Sequence, residues 1–179
     1  IAKISVRLTT FCALTFLFFG CGPEKPTGAV DLIPVIDTHI HLYDTNRSDG
    51  VPWPPTTDKV LYRPVLSQHF DAICEAHNVT ATVIVEASDR VEDNQWVLDI
   101  TAHNTKHYVG VVGNLPVGTL QFAKHLDRFT KDKRYVGIRL RSFAEGVDGF
   151  NDVVWRDLKL LSDKGLTLDV LMANYDLDD

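Results

Sequence analysis

The sequence predicts an α/β fold in which a parallel sheet is covered by helices. Five short apolar runs rich in β-branched residues alternate with four segments of helical spacing. The apolar runs are nearly continuous, as in strands buried on both faces. The first of them ends in His-Ile-His rather than in the Gly-rich phosphate turn that usually follows the first strand of an open doubly wound sheet. Five strands would complete such an open sheet. A (β/α)8 barrel needs eight strands and roughly 250 residues.

The elements follow in order. "LIPVIDTHIH" (32–41) is the first strand. A long Pro- and Trp-containing connection comes next, in which prolines disfavour helix and central strand alike. "LSQHFDAICEAHN" (66–78) places Phe70, Ile73 and Ala76 at helical spacing. "TATVIVEA" (80–87) is the second strand. Asp89, three residues before Glu92, has the pattern of a capping box, and Trp96, Val97 and Ile100 mark one face of the helix it opens. "YVGVVGNL" (108–115) is the third strand. The next helix spans 119–132, with Leu120, Ala123, Leu126 and Phe129 spaced by three. "YVGIRLR" (135–141) is the fourth strand. A helix over 152–165 carries Val154, Trp155, Leu158 and Leu161 and stops at Gly165. "LTLDVLM" (166–172) is the fifth strand.

Residues 1–21 stand apart from this pattern. Lys3 and Arg7 precede an apolar run too short to span a bilayer comfortably, the form of a secretory signal. The run ends in "LFFGCG", which resembles a bacterial lipoprotein signal with Cys21 as the lipidated residue. An ordinary cleaved signal and an anchoring helix are the alternatives. Residues 22–32 read as a tether, and 33–179 as the domain. The chain is thereby expected to be exported, either periplasmic or held at a membrane only through Cys21. Removing residues 1–21 takes away two positive charges and no negative one, moving the net charge from −6 to −8. That balance, with no basic stripe, argues against a nucleic-acid partner. Cys74 is the single cysteine of the expected mature domain, so an internal disulfide is excluded.

Side chains alternate along a strand, so Asp37, His39 and His41 are expected on one face at its carboxyl end. Two imidazoles about 7 Å apart along a strand can share a divalent ion or flank one substrate group. Asp37, lying deeper, is expected to orient an imidazole.

With "IDTHIH" the chain resembles the amidohydrolase superfamily, whose barrels carry a DxHxH motif on the first strand. "IDTHIHLYD", "GVPWP", "VEASDRVEDNQWVLDI", "YVGVVGNLP" and "VGIRLR" in that order resemble its amidohydrolase-2 branch. Within it the likeness is especially to the lactonase group similar to fuconolactonases and pyrone-dicarboxylate lactonases. The resemblance covers roughly residues 33–172. It implies an incomplete (β/α)8 TIM barrel with about five βα units present, acting on a small molecule. The implied reaction opens a lactone, such as that of a sugar acid, by attack of water on its carbonyl. His39 and His41 would be catalytic or bind a divalent, zinc-like metal, with metal dependence varying in this branch. Arg139, the arginine after "GI", would be catalytic and grip substrate.

At the expected barrel mouth, Glu86, Arg141 and Trp53 are candidate substrate-binding residues. Asn114 reads as a turn former or as a hydrogen-bond donor at the mouth, and Trp96 and Trp155 as packing. His69, His77, His103, His107 and His125 read as solvated outer-face residues. The family's general base, an aspartate on the last barrel strand, and a further histidine have no counterpart here; Asp176, Asp178 and Asp179 do not match. The chain begins with Ile and ends at "NYDLDD", so it is expected to be a fragment, inactive by itself and with open edges on its first and fifth strands. Two other readings remain at this point: a non-oxidative decarboxylase of an aromatic acid, and a non-catalytic lipid-anchored binding protein.

Overall fold

The computed structural model describes residues 33–141 and 150–171. The expected signal, Cys21 and the tether lie outside the described residues, as do Asp176, Asp178 and Asp179. The described elements belong to one compact unit that begins at Pro34. In chain order they are β1 (Val35–Ile40), α1 (Ser67–His77), β2 (Val79–Val85), α2 (Val91–Ile100), β3 (Tyr108–Gly113), α3 (Phe122–Phe129), β4 (Tyr135–Arg141), α4 (Asp152–Asp163) and β5 (Thr167–Leu171). A single 3-10 turn, Ala102–Asn104, precedes β3. Among the described residues no helix is long and apolar enough to cross a membrane.

The five strands form one parallel sheet in the order β1-β2-β3-β4-β5. This order settles the choice between the two α/β architectures. A doubly wound sheet reverses direction at a switch point, whereas a barrel adds each strand beside the last. In a flat sheet β1 and β4 would stand about 14 Å apart. Yet Arg139 of β4 reaches His39 of β1 at 3.1 Å, over the face of the strands between them. The chain forms a curled half-barrel.

The core lies between sheet and helices. Ile84, Val111 and Ile138 from the strands meet Leu98, Leu126 and Leu161 from the helices, all nearly or wholly buried. β1 and β5 are the edges of the described sheet, and Val35, Ile36, Val170 and Leu171 are exposed there.

Several helices differ in detail from expectation. Helix α3 begins three residues later than its periodicity predicts. Thr119 Oγ1 donates to Pro116 O and accepts from Gln121 N, holding a turn, so Leu120 is 90% exposed and Phe122 takes the core position. On α1, Cys74 rather than Ile73 is buried. Trp155 is 57% exposed, beside Phe150, because Val154, Asp157 and Leu161 form the inward face of α4. The Asp157 carboxylate, fully buried, accepts from Gly118 N at 2.8 Å and from the Arg156 guanidinium at 2.7 Å. Helix α2 starts after Arg90 with no side-chain cap; Glu92 instead makes a bidentate pair with Arg128 of α3 at 2.6 and 2.7 Å.

Candidate active site at the carboxyl end of the sheet

His39 and His41 come together as the sequence suggests, with ring centroids 5.0 Å apart and edge to face. The backbone route is less regular than simple alternation. Asp37 pairs with Thr82 and Ile40 with Ile84, so three steps on β1 oppose two on β2, a β-bulge that contains His39. The bulge removes Asp37 from the role expected of it. Its Oδ1 accepts from the His39 backbone N–H at 3.1 Å, and its charge is felt by Cys74 on α1. Neither imidazole is oriented by it.

Other groups fix the two rings. His41 Nδ1 lies 3.0 Å from Val85 O; a carbonyl only accepts, so Nδ1 carries the proton and Nε2 the lone pair. His39 Nε2 lies 3.1 Å from Arg139 Nη2; a guanidinium only donates, so this Nε2 accepts. Burial, with the neighbouring Arg139 cation adding to it, holds His41 below the ordinary imidazole value, against the bond to Val85 O. The neutral imidazole is therefore favoured at neutral pH.

Arg139 and Arg141 share one face of β4, alternating with buried Ile138 and Leu140. Arg139 lies between His39 and, at 3.7 Å, Asp169 of β5. Arg141 Nη2 donates to Glu86 Oε2 at 2.6 Å. Glu86 follows β2, its side chain only 5% exposed, and burial raises its carboxyl above the ordinary value while Arg141 pulls it back. Trp53 sets its ring 5.4 Å from His41 and 5.5 Å from Tyr43. Thus His39, His41, Arg139, Glu86, Arg141 and Trp53 all converge at the carboxyl end of the sheet, where barrel enzymes place their chemistry.

Behind Glu86 and Trp53 runs a cavity of about 20 Å³, lined also by Asp93, Asn94 and Trp96. It has room for one water and not for a substrate.

Sequence reasoning missed what builds this end of the sheet. The Asn94 amide is spent on backbone: Oδ1 accepts from Asn114 N at 2.9 Å, and Nδ2 donates to Asn114 O at 2.7 Å and Val91 O at 2.8 Å. A Cβ at Gly113 would strike Asn94 Oδ1 and Tyr135 Oη, so only glycine fits there. Asn114 thus acts through its backbone, held by a partner twenty residues away. His107 is buried, not solvated, with Nε2 at 3.2 Å from Thr82 Oγ1. His69 Nδ1 accepts from Leu66 N at the start of α1. Their helical or near-helical positions gave no signal of these partners.

A zinc centre takes three or four protein ligands. Here two imidazoles are available, and the Nε2 of one is engaged by a cation. Among the described residues no group of three or more metal-ligating side chains gathers. The described residues do not by themselves fit a metal centre.

No family model matches the chain. Among curated proteins it is similar to L-fucono-1,5-lactonase of Burkholderia ambifaria, 29% identical over 104 residues, 58% of this chain and 35% of that protein. Among solved structures it is similar to an amidohydrolase from Burkholderia multivorans with bound zinc, with TM-score 0.68, 20% identity and coverage of 78% of this chain and 49% of that one. It is also similar to a probable 2-pyrone-4,6-dicarboxylic acid hydrolase from Acinetobacter baumannii with citric acid bound, with TM-score 0.59, 17% identity and coverage of 77% and 49%. The chain thus spans half or less of the length of these relatives. Motif series, curated likeness and shared half-barrel agree, and the resemblance to the lactonase-type amidohydrolases drawn from the sequence stands.

Proposed function

We propose that the whole protein is a hydrolase that opens a lactone, of the sugar-acid type, by attack of water on the carbonyl. The observation that carries this reading is the contact of Arg139 with His39, beside His41, at the carboxyl end of the sheet. A fixed cation next to two imidazoles suits a carbonyl oxygen that gains negative charge as water adds. In this reading Arg139 donates to that oxygen, with His39 keeping the guanidinium in place. His41, neutral and with its Nε2 lone pair free of the Val85 bond, accepts a proton of the attacking water and returns it to the ring oxygen as the acyl C–O bond breaks. Arg141, half-exposed and tethered to Glu86, meets a polar or acidic substituent of the substrate. Trp53 supplies an apolar wall.

The supporting likeness is to a curated protein named L-fucono-1,5-lactonase. The test is an assay of the full-length protein on sugar-acid lactones and, in parallel, on hydroxybenzoates. Turnover of a lactone supports the reading. Turnover of a hydroxybenzoate alone replaces it with decarboxylation. We further propose that Cys21 is lipidated and holds an exported domain at the membrane, on the strength of "LFFGCG".

A further inference from the structure

We propose that Arg47 and Arg90 are positioning residues that pin the connection between β1 and α1 and so set the Trp53 indole as a fixed wall of the site, against which the substrate ring lies. The neck of this connection is closed at Tyr43 and Val65, whose N–H groups donate to each other's carbonyls at 2.9 and 2.8 Å. Tyr43 Oη also donates to Leu61 O at 3.0 Å. Its tip is held separately, at the start of α2. Arg47 leaves the connection and donates through Nη1 to Asp93 Oδ1 at 2.7 Å, with its guanidinium 5.7 Å over the Trp96 ring. Arg90 runs the other way. Its Nη1 donates to Asp49 Oδ2 at 2.8 Å and Gly50 O at 2.9 Å, and its Nη2 to Asp49 O at 2.9 Å.

Two arginines therefore cross between the same two segments in opposite directions. Gly50, at φ +60°, makes the turn whose carbonyls Arg90 grips. Three residues later Trp53 sits edge-on to both His41 and Tyr43. Exposed ion pairs contribute little to stability, and the Arg90 and Asp49 side chains are 36% and 54% exposed. What the clamp does supply is geometry, because the planar fork meets one carboxylate and two carbonyls at once. A lysine at 90 could not satisfy all three acceptors in that arrangement. The clamp holds an indole at a set distance from a catalytic imidazole, and an aromatic face suits the apolar edge of a ring substrate.

What Trp53 meets rests on the lactone-hydrolase reading; the pinning does not, and the two are tested apart. Hydrogen–deuterium exchange of the full-length protein, followed on peptides covering residues 44–53, needs no substrate. Arg90→Ala and Arg90→Lys are each expected to speed exchange there about tenfold, with β2–β4 unchanged. Unchanged exchange over 44–53 overturns the pinning. Kinetics on the lactone then reads the positioning. Arg90→Ala raises KM about five- to tenfold, and Trp53→Ala does the same. The double variant is no worse than Trp53→Ala alone, since a residue acting through Trp53 then has nothing left to place. Additive losses overturn it. If wild-type protein opens no lactone, the functional reading fails while the exchange result still decides the clamp.

Discussion

Replacing Asn94 tests how the carboxyl end of the sheet is built. Asn94 is 4% exposed and makes three hydrogen bonds, two to the Asn114 backbone and one to Val91 O. Asn94→Ala deletes all three. At about 1 kcal/mol each the gross loss is about 3 kcal/mol, reduced toward about 2 kcal/mol because Asn114 is only half-buried and water can reach it. At about 2–4 °C per kcal/mol, the range for chains of roughly 150–250 residues, this is a Tm lower by about 4–12 °C. Asn94→Asp is the sharper probe. It keeps acceptance from Asn114 N but loses both donations, and it sets a carboxylate against two carbonyl oxygens in a largely dry place. Its Tm at neutral pH should fall at least as far as that of Asn94→Ala. Thermal unfolding followed by circular dichroism measures both. An Asn94→Asp protein as stable as wild type would refute the assignment of the amide's bonds.

Further outcomes are expected. Arg139→Ala should lower lactone turnover about 10²–10³-fold with Tm nearly unchanged, as steady-state rates and a melt will show. Glu86 is protonated more readily in the fold than when unfolded, so its contribution is complete below the ordinary carboxylate pKa and is lost as pH rises through the raised folded value. The Tm of Glu86→Gln minus that of wild type should therefore be near zero at acid pH and grow toward neutrality; a gap that is flat or shrinks contradicts this. Cys21→Ala should move the expressed protein from the membrane fraction to the soluble one, read by fractionation and blotting.

The strands were legible in the sequence because each is a compact β-branched run, and β4 begins and ends where "YVGIRLR" does. Helix edges were less so. Leu120 continues the spacing of α3, but Thr119 spends its hydroxyl on a turn, and local bonding overrides periodicity. Trp155 has a core residue's chemistry, yet buried Asp157 occupies the inward face of α4. In the site, His39 and His41 come together as their spacing suggests, though through a bulge rather than simple alternation. Asp37 failed because a bulge breaks alternation, and no composition marks a bulge. Asn94, Arg47 and Arg90 were unreadable because their partners lie 20 to 46 residues away along the chain. The pairing of His39 with Arg139, separated by 100 residues, depends wholly on the curl of the sheet.

That pairing is also where the account is most directly tested. A double-mutant cycle on the full-length protein compares lactone turnover by His39→Ala, Arg139→Ala and the double variant. If the imidazole places the guanidinium, the two single losses overlap, the double variant is about as slow as the worse single one, and the coupling is at least about 1 kcal/mol. Losses that simply multiply, or single variants as fast as wild type, would mean that these two side chains do not work together on a carbonyl.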